Sequence, residues 1–417
     1  MQLSPYLVRM SDQMFDVAVI GAGPAGATLA IGLAQAGLSV AVIDARDPAI
    51  TPPKDGRNFA IVTGSWRLLS SLGVAAQLTE TSQPLNGLEA VDGGTHYFGQ
   101  PSVLFSKDDL ESVDPDEPLG HMTMAEPLQV ALDAAMDNEA ELTRFAPERF
   151  DSLDEQAGRI GIHLASGKTL HARLLVGADG MNSPVRNAVG IGTEGRDYQK
   201  SVFTANVTLQ APHHGIARQL FTPEGPFATL PLLGDRANLA WYMKRGAAET
   251  LAAMPVEAAE AELNQRFGAF AGEMKIEGKA GAYPLILQLA TEITAPRVAL
   301  VGDAARRVNP LAGQGLNQGF RDVAALIEIA QDTLRLGGEI GSPQMLEAYS
   351  AARHFDGAGT ALALDAIDRL FSNDWMMTKP VRTLGLLAAS KISPLRRFLA
   401  RKASATEAGV AGLMKDW

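Results

Sequence analysis

The stretch "FDVAVIGAGPAGATLAIGLAQAGLSVAVIDA", residues 15–45, decides the fold. An apolar run ends at Gly21, a helix-spaced segment follows to a Gly37 stop, and a second apolar run closes at Asp44. Strand, turn, helix, strand is the repeating unit of a parallel sheet. In the turn, Gly21, Gly23 and Gly26 form the pattern G-x-G-x-x-G, completed by Ala22, Pro24 and Ala25. The first glycine permits a tight turn and the second lets backbone approach a pyrophosphate. The third lets helix and strand pack closely. The helix N-terminus supplies free N–H groups and partial positive charge. Asp44, followed by Ala45 and Arg46, stands where a carboxylate accepts hydrogen bonds from an adenosine ribose. The motif calls for a dinucleotide without separating NAD from FAD.

Two further strand ends narrow the choice. "LLVGADGMNSPVRNAVGI", residues 174–191, delivers Asp179-Gly180, then Ser183 and Arg186 on a short helix. Its small residues bring backbone close to something bulky. "GDAARRVNPLAGQGLNQGFRD", residues 302–322, leaves a strand at Gly302 and Asp303. It passes Pro310 and Gly313 and enters a helix through Gln314, Gly315, Leu316 and Asn317. The glycines strip side chains from that helix start, opening its N–H groups to a flat ring with acceptors on its edge. Three such sites, far apart in sequence, are too many for a small nucleotide. One long dinucleotide such as FAD, lying across the sheet, uses all of them.

Working outward, the pattern predicts an α/β protein whose parallel sheet is interrupted twice by antiparallel sheet. Residues 14–85, 119–196 and 285–342 read as a discontinuous FAD-binding domain. Residues 86–118 and 197–284 read as an antiparallel-sheet substrate domain, with turns at Pro223-Glu224-Gly225-Pro226 and Gly234-Asp235-Arg236. Residues 343–417 read as a helical C-terminal segment. Within it, residues 376–405 hold seven basic residues (Lys379, Arg382, Lys391, Arg396, Arg397, Arg401, Lys402) and no acid. Two readings of that run stay open: a solvated helix face, or a docking surface for anionic lipid or a partner protein.

Composition sets the outer bounds. The net charge of −11 argues against nucleic-acid binding. The absence of cysteine excludes disulfides and thiolate chemistry. The first residues lack the apolar core of a signal peptide, and no apolar run approaches the roughly eighteen residues of a spanning helix. A cytoplasmic protein is expected, at most peripheral on the inner face of a membrane. His121, His163 and His171 show no metal-ligand spacing, and no metal is expected.

The order of "GAGPAG", "DGRNFAIVTGSWRLLSSLG" (55–73), "GADGMNSPVR" (177–186) and "ALVGDAARRVNPLAGQGLNQGFRDVAAL" (299–326) resembles the group A flavin-dependent aromatic hydroxylases. Within them it is similar to the ubiquinone-biosynthesis hydroxylases. The likeness extends to "YPL" at 283–285 and to the spacing of Tyr349, Arg353 and Asp356. It implies a p-hydroxybenzoate-hydroxylase-like fold with FAD on Gly21, Gly23, Gly26 and Asp44. Arg57 and Gln129 would reach toward its pyrophosphate or ribityl region, and Asp179 and Asp303 would hold its centre. Pro310 and Gly313 to Asn317 would form the ring environment, with no side-chain acid or base assigned there. It further implies NAD(P)H as reductant, O2 as co-substrate, and hydroxyl transfer from a flavin C4a-hydroperoxide to the ring of an apolar prenylated phenol.

Two positions depart from that pattern. Arg306 stands where such proteins carry His, and Met124-Ala125-Glu126 replaces a Glu-Asn-Arg run. Arg306 could touch the flavin edge, neutralise a neighbouring acid or face solvent. Two functions are carried forward: a monooxygenase of the ubiquinone pathway, and a non-catalytic FAD-binding assembly or docking factor of the same pathway.

Overall fold

The structure is a computed structural model that describes residues 13–53, 56–93, 101–110, 112, 114–308, 314–353, 391–406 and 410–415. Asp356, Lys379 and Arg382, singled out from the sequence, lie outside the described residues. The first sheet contains β1 (Gln13–Ile20), β2 (Val40–Ile43), β8 (Leu142–Phe145), β11 (Thr169–Gly177), β17 (Thr294–Ala295) and β18 (Val298–Leu300). Their order is β17-β18-β11-β1-β2-β8, and β18, β11, β1, β2 and β8 run parallel. The hairpin β9 (Phe150–Gln156) and β10 (Arg159–Leu164) pairs antiparallel onto β11.

Strands buried on both faces must be apolar throughout. The sequence obeys: Val17, Ala18, Val19, Val40, Ile43, Leu174 and Leu175 are all buried. One face packs against α1 (Pro24–Gln35), α3 (Ala125–Asp137) and α7 (Gln314–Arg335). Every residue of α1 from Gly26 to Ala34 is buried, which explains its alanine and glycine content. A Cβ on Gly32 would stand 2.3 Å from Ile327 Cδ1, so glycine there sets how closely α1 approaches α7.

The second sheet is ordered β19-β16-β12-β15-β14-β13-β5-β6. Its members are β5 (Gly87–Asp92), β6 (Ser102–Ser106), β12 (Thr193–Leu209), β13 (Ile216–Thr222), β14 (Gly225–Leu232), β15 (Arg236–Lys244), β16 (Met274–Ala290) and β19 (Arg306–Arg307). All pairs are antiparallel except β5 with β13. Alternation sends Phe203, Val207, Phe227 and Trp241 to one face, against α5 (Arg245–Ala253) and α6 (Val256–Ala271). There Phe227 stacks on Phe267 at 3.8 Å between ring centroids. Each such ring contributes about 1.5–3 kcal/mol by leaving water. The other face is turned toward the first sheet's domain and is left to line a cavity.

A three-stranded sheet, β3 (Asn58–Val62), β7 (Gly120–Met124) and β4 (Ser82–Pro84), lies between the two, next to α2 (Thr63–Ser71). The elements α4 (Pro184–Ala188) and α8 (Ser393–Ala403) complete the frame used below. The run 302–322 differs in detail from its sequence reading. The strand stops at Leu300, and Asp303 sits in a single 3-10 turn, Gly302–Ala304. The helix that the run enters through Gln314 to Asn317 spans Gln314 to Arg335.

Candidate active site

The glycine turn is shaped by what surrounds it. Gly21 adopts φ +101°, and a Cβ on Gly26 would lie 2.0 Å from Gly21 O. Only glycine fits either position. A Cβ on Gly23 would meet nothing within 4 Å, because that glycine faces open space. Asp44 fastens the loop: its Oδ2 accepts from Ala22 N at 2.6 Å and its Oδ1 from Arg46 N at 2.7 Å. Gln129 donates from Nε2 to Ala22 O at 2.9 Å. The Arg46 guanidinium turns to Asp133 at 2.7 Å. Asp44, Arg46 and Gln129 therefore shape the loop at one end of the site.

The other predicted residues converge on a cavity of about 1260 Å³. Gly23, Pro24, Ala25, Arg57, Gly180, Gly302, Asp303, Gly315 and Leu316 line it. A Cβ on Gly180 or Gly315, as on Gly23, would have no atom within 4 Å, so their backbone opens directly onto the cavity. The N-terminal turn of α7 lies on the cavity wall through Gly315 and Leu316. Pro310 and Gly313 lie outside the described residues, as does the side chain of Gln314. Asn317 is fully buried and spends its side chain on β3, accepting from Val62 N at 3.1 Å and donating to Ala60 O at 2.7 Å. Asn317 thus pins the start of α7 to β3, and its amide is not on the cavity wall.

Asp303 lines the cavity, and Asp179 stands next to its wall residues Ala178 and Gly180. Asp303 is open to it yet surrounded by protein, and this desolvation raises its pKa above the usual carboxylate value, with Arg307 pulling the other way. Burial raises Asp179 likewise, against the hydrogen bonds it accepts, which include one from Val185 N at 3.0 Å. Its Oδ1 is buried with no partner among the described residues. Arg186, buried, donates to Ala304 O and Met181 O, both at 2.9 Å, and ties the two acid-bearing loops together.

Arg306 takes one of its three open roles. Its Nη1 donates to Asp322 Oδ1 at 2.7 Å, and Arg353 Nε donates to the same oxygen at 2.7 Å. Asp322 Oδ2 accepts from Gly302 N at 3.1 Å, and the carboxylate is fully buried. Arg306 neutralises a neighbouring acid, and that acid holds the backbone beside Asp303. Arg307, by contrast, lines the cavity and reaches Pro284 O at 3.2 Å.

Sequence reading passed over several wall residues. Met124, marked from the sequence only as part of a departure from the family's run, is on the wall beside Arg57, where Ala125 N donates to Arg57 O at 3.0 Å. Asn58, Thr204, Asn206 and Asn238 are others, as are Leu399, Ala400, Ala403 and Ser404 around α8. A signal for Asn206 and Asn238 existed: each sits between two buried apolar residues, Ala205 and Val207 on β12 and Ala237 and Leu239 on β15.

The fit to FAD follows from this geometry. Glycine backbone opens onto free space at three places where a side chain would fill it, a helix N-terminus lies at the same space, and the Asp303 carboxyl is open to it for a hydroxyl donor. Residues 14–360 match the model of the FAD binding domain. The chain belongs to the FAD-binding-domain family. This flavoprotein is 37% identical to ubiquinone hydroxylase UbiL of Rhodospirillum rubrum, over 95% of the chain and 91% of that protein. It is 33% identical to 3-demethoxyubiquinol 3-hydroxylase of Escherichia coli, over 93% of the chain and 98% of the relative. Among solved structures it resembles p-nitrophenol 4-monooxygenase PnpA of Pseudomonas putida, with TM-score 0.77, 18% identity and coverage of 94% and 99%. The flavoprotein thus shares its fold with enzymes that hydroxylate aromatic rings.

Proposed function

We propose that this flavoprotein is an NAD(P)H-dependent monooxygenase that hydroxylates the aromatic ring of a prenylated phenol on the route to ubiquinone. The observation that carries the reading is one continuous cavity, walled at one end by Gly23, Gly180, Gly302 and Gly315 and at the other by the open face of the antiparallel sheet. Bound FAD supplies the redox and oxygen-activating chemistry, with NAD(P)H as reductant and O2 as co-substrate.

The chain's own residues do the rest. Gly21, Gly23, Gly26 and the α1 N-terminus would hold the pyrophosphate, Asp44 the ribose, and Arg57 would reach toward the pyrophosphate or ribityl region. Asp179 and Asp303 would hold the cofactor's central hydroxyls, and the N-terminus of α7 would supply positive dipole to the ring edge. The apolar walls, including Val62, Leu85 and Leu230, keep water from the reacting face.

Purified protein should be yellow and should oxidise NAD(P)H faster when a prenylphenol is added, yielding a ring-hydroxylated product. Flavin reduction that no prenylphenol accelerates would overturn the reading and leave a non-catalytic FAD-binding factor. An apolar substrate also favours work at a membrane surface. No helix among the described residues is long and apolar enough to cross a membrane. The helix α8 carries basic residues together with exposed Phe398 and Leu399, and Leu399 also lines the cavity. We place this helix on anionic lipid, with the cavity mouth against the bilayer. Reversing the charge of Arg397, Arg401 and Lys402 should release the protein from anionic vesicles; undiminished binding would exclude the arrangement.

A further inference from the structure

The floor of the cavity is the inner face of the second sheet, and its register can be read strand by strand. Thr204 of β12 lies opposite Gly281 of β16 and Ala240 of β15. Ala240 lies opposite Ala228 of β14, and Ala228 opposite Gln219 of β13. Residues directly opposite across antiparallel strands point to the same face. Gly281, Thr204, Ala240, Ala228 and Gln219 therefore form one transverse row, and all five line the cavity. Spanning five strands, the row is roughly 19 Å long, at about 4.8 Å per strand.

Chemistry changes along this floor. The sheet edge at β19 carries Arg307, four residues after Asp303, so β16 and β12 are the strands nearest the flavin cradle. On β12 and β15 the floor is polar. Asn206 Oδ1 accepts from Asn58 Nδ2 and from Asn238 Nδ2, each at 2.9 Å, and Asn238 Nδ2 also reaches Thr204 Oγ1 at 3.1 Å. Asn58 Nδ2 donates to Gly56 O at 2.8 Å, which fixes its amide orientation and, through it, the acceptor role of Asn206. Among the described residues, the Thr204 hydroxyl has only a long contact to Asn238 Oδ1, at 3.5 Å, for its own proton. A donor is thus left for a ligand oxygen. Beyond β15 the floor turns mainly apolar, with Gln219 and Arg218 of β13 as its polar groups. Ala228, Leu230, Ala217, Leu88 and Phe105 line the distal strands, and the two alanines are nearly fully buried.

We infer that this gradient fixes the orientation of the substrate: the oxygenated ring sits over Thr204 and Asn238, and the apolar tail runs outward across Ala228 and Ala217. The inference rests on the proposed aromatic substrate and adds which residues decide its position and its tail. Thr204 and Asn238 are positioning residues, acting by holding the ring oxygens. Ala228 and Ala217 set tail selectivity, because a larger side chain there fills the tail's path.

The experiment measures, by titration calorimetry on the FAD-loaded protein, the Kd of a phenol with a long polyprenyl chain and of the same phenol with a methyl in its place. Ala228→Phe should raise the ratio of long-tail to short-tail Kd about tenfold. Thr204→Val should raise both constants by about tenfold while leaving their ratio at the wild-type value. If Ala228→Phe fails to fold, Ala217→Leu obstructs the same path and carries the same expectation. A ratio unmoved by both alanine variants, or moved by Thr204→Val, would overturn the orientation. Product formation is read separately. Binding that follows this pattern without any hydroxylation would sink the monooxygenase reading and leave the orientation standing.

Discussion

At the scale of single residues, charge is buried where the cradle needs rigidity. Asp322 is fully buried and shared by Arg306 and Arg353, and its second oxygen holds Gly302 N. Removing one partner of a buried ion pair costs about 3–5 kcal/mol, because the remaining charge loses its compensation. Asp322→Asn should therefore lower the urea midpoint sharply and loosen FAD; fluorescence of released flavin and an unfolding curve would check both. His121 is a second case. It stacks on Trp66 at 3.7 Å, and burial lowers its pKa from 6.5 to about 4. The unfolded chain takes up this proton first as pH falls, so stability is full above pH 6.5 and drains away toward pH 4. Between pH 7 and pH 5 this group alone should remove about 2 kcal/mol. His121→Phe should flatten that part of the stability profile, measured by urea unfolding at the two pH values.

At the scale of elements, the β1–α1 turn leaves the least freedom. A methyl group on Gly26 would collide with Gly21 O at 2.0 Å and press on Ala178 Cβ at 3.0 Å. Backbone on one side and the β11 end on the other leave no route of relaxation. Gly26→Val should abolish FAD retention, giving colourless protein, while Gly23→Ala, with open space around it, should fold and bind FAD less tightly. Absorbance near the flavin bands in each purified variant is the test. This turn was legible because its chemistry is local: glycine spacing, a proline at the first helical position and an acid closing the next strand all lie within about thirty residues. The Asp322 cluster was not legible in the same way. Arg306 and Arg353 meet over one oxygen only because the 3-10 turn, α7 and the helical residues that follow pack together, and no spacing rule announces that. Asn58, Asn206 and Asn238 are harder still, since their alliance joins β3 to two strands of another sheet.

At the scale of the whole molecule, a cavity this large lies between two sheets, and a ligand filling it adds contacts to both. A ligand that binds only the folded state stabilises it by RT ln(1 + [L]/Kd), about 2.7 kcal/mol at a hundredfold excess over Kd. Adding FAD to stripped protein should raise the melting temperature by several degrees, checked by thermal unfolding with and without the cofactor. An unchanged melting temperature would contradict the cradle. The order of parallel and antiparallel sheets could be read from alternation and turn residues, whereas the wall formed by α8 could not, because its basic pattern fits a solvated face equally well.

That wall has a consequence for biosynthesis. Gly64 N donates to Ser404 O at 2.9 Å, and a methyl on Gly64 would meet Ala405 O at 2.2 Å, so the segment after α8 seats tightly on α2. The ribosome makes the glycine turn at Gly21 well before α8, whose residues Leu399, Ala400 and Ala403 line the same cavity. A nascent chain therefore presents a half-built cradle open on one side, and the cofactor can enter sideways before the last wall is in place. Once that segment docks on α2, it becomes part of the wall that the cofactor must pass. Loading during synthesis and exchange afterwards are then different kinetic processes, with the docked segment as the latch between them.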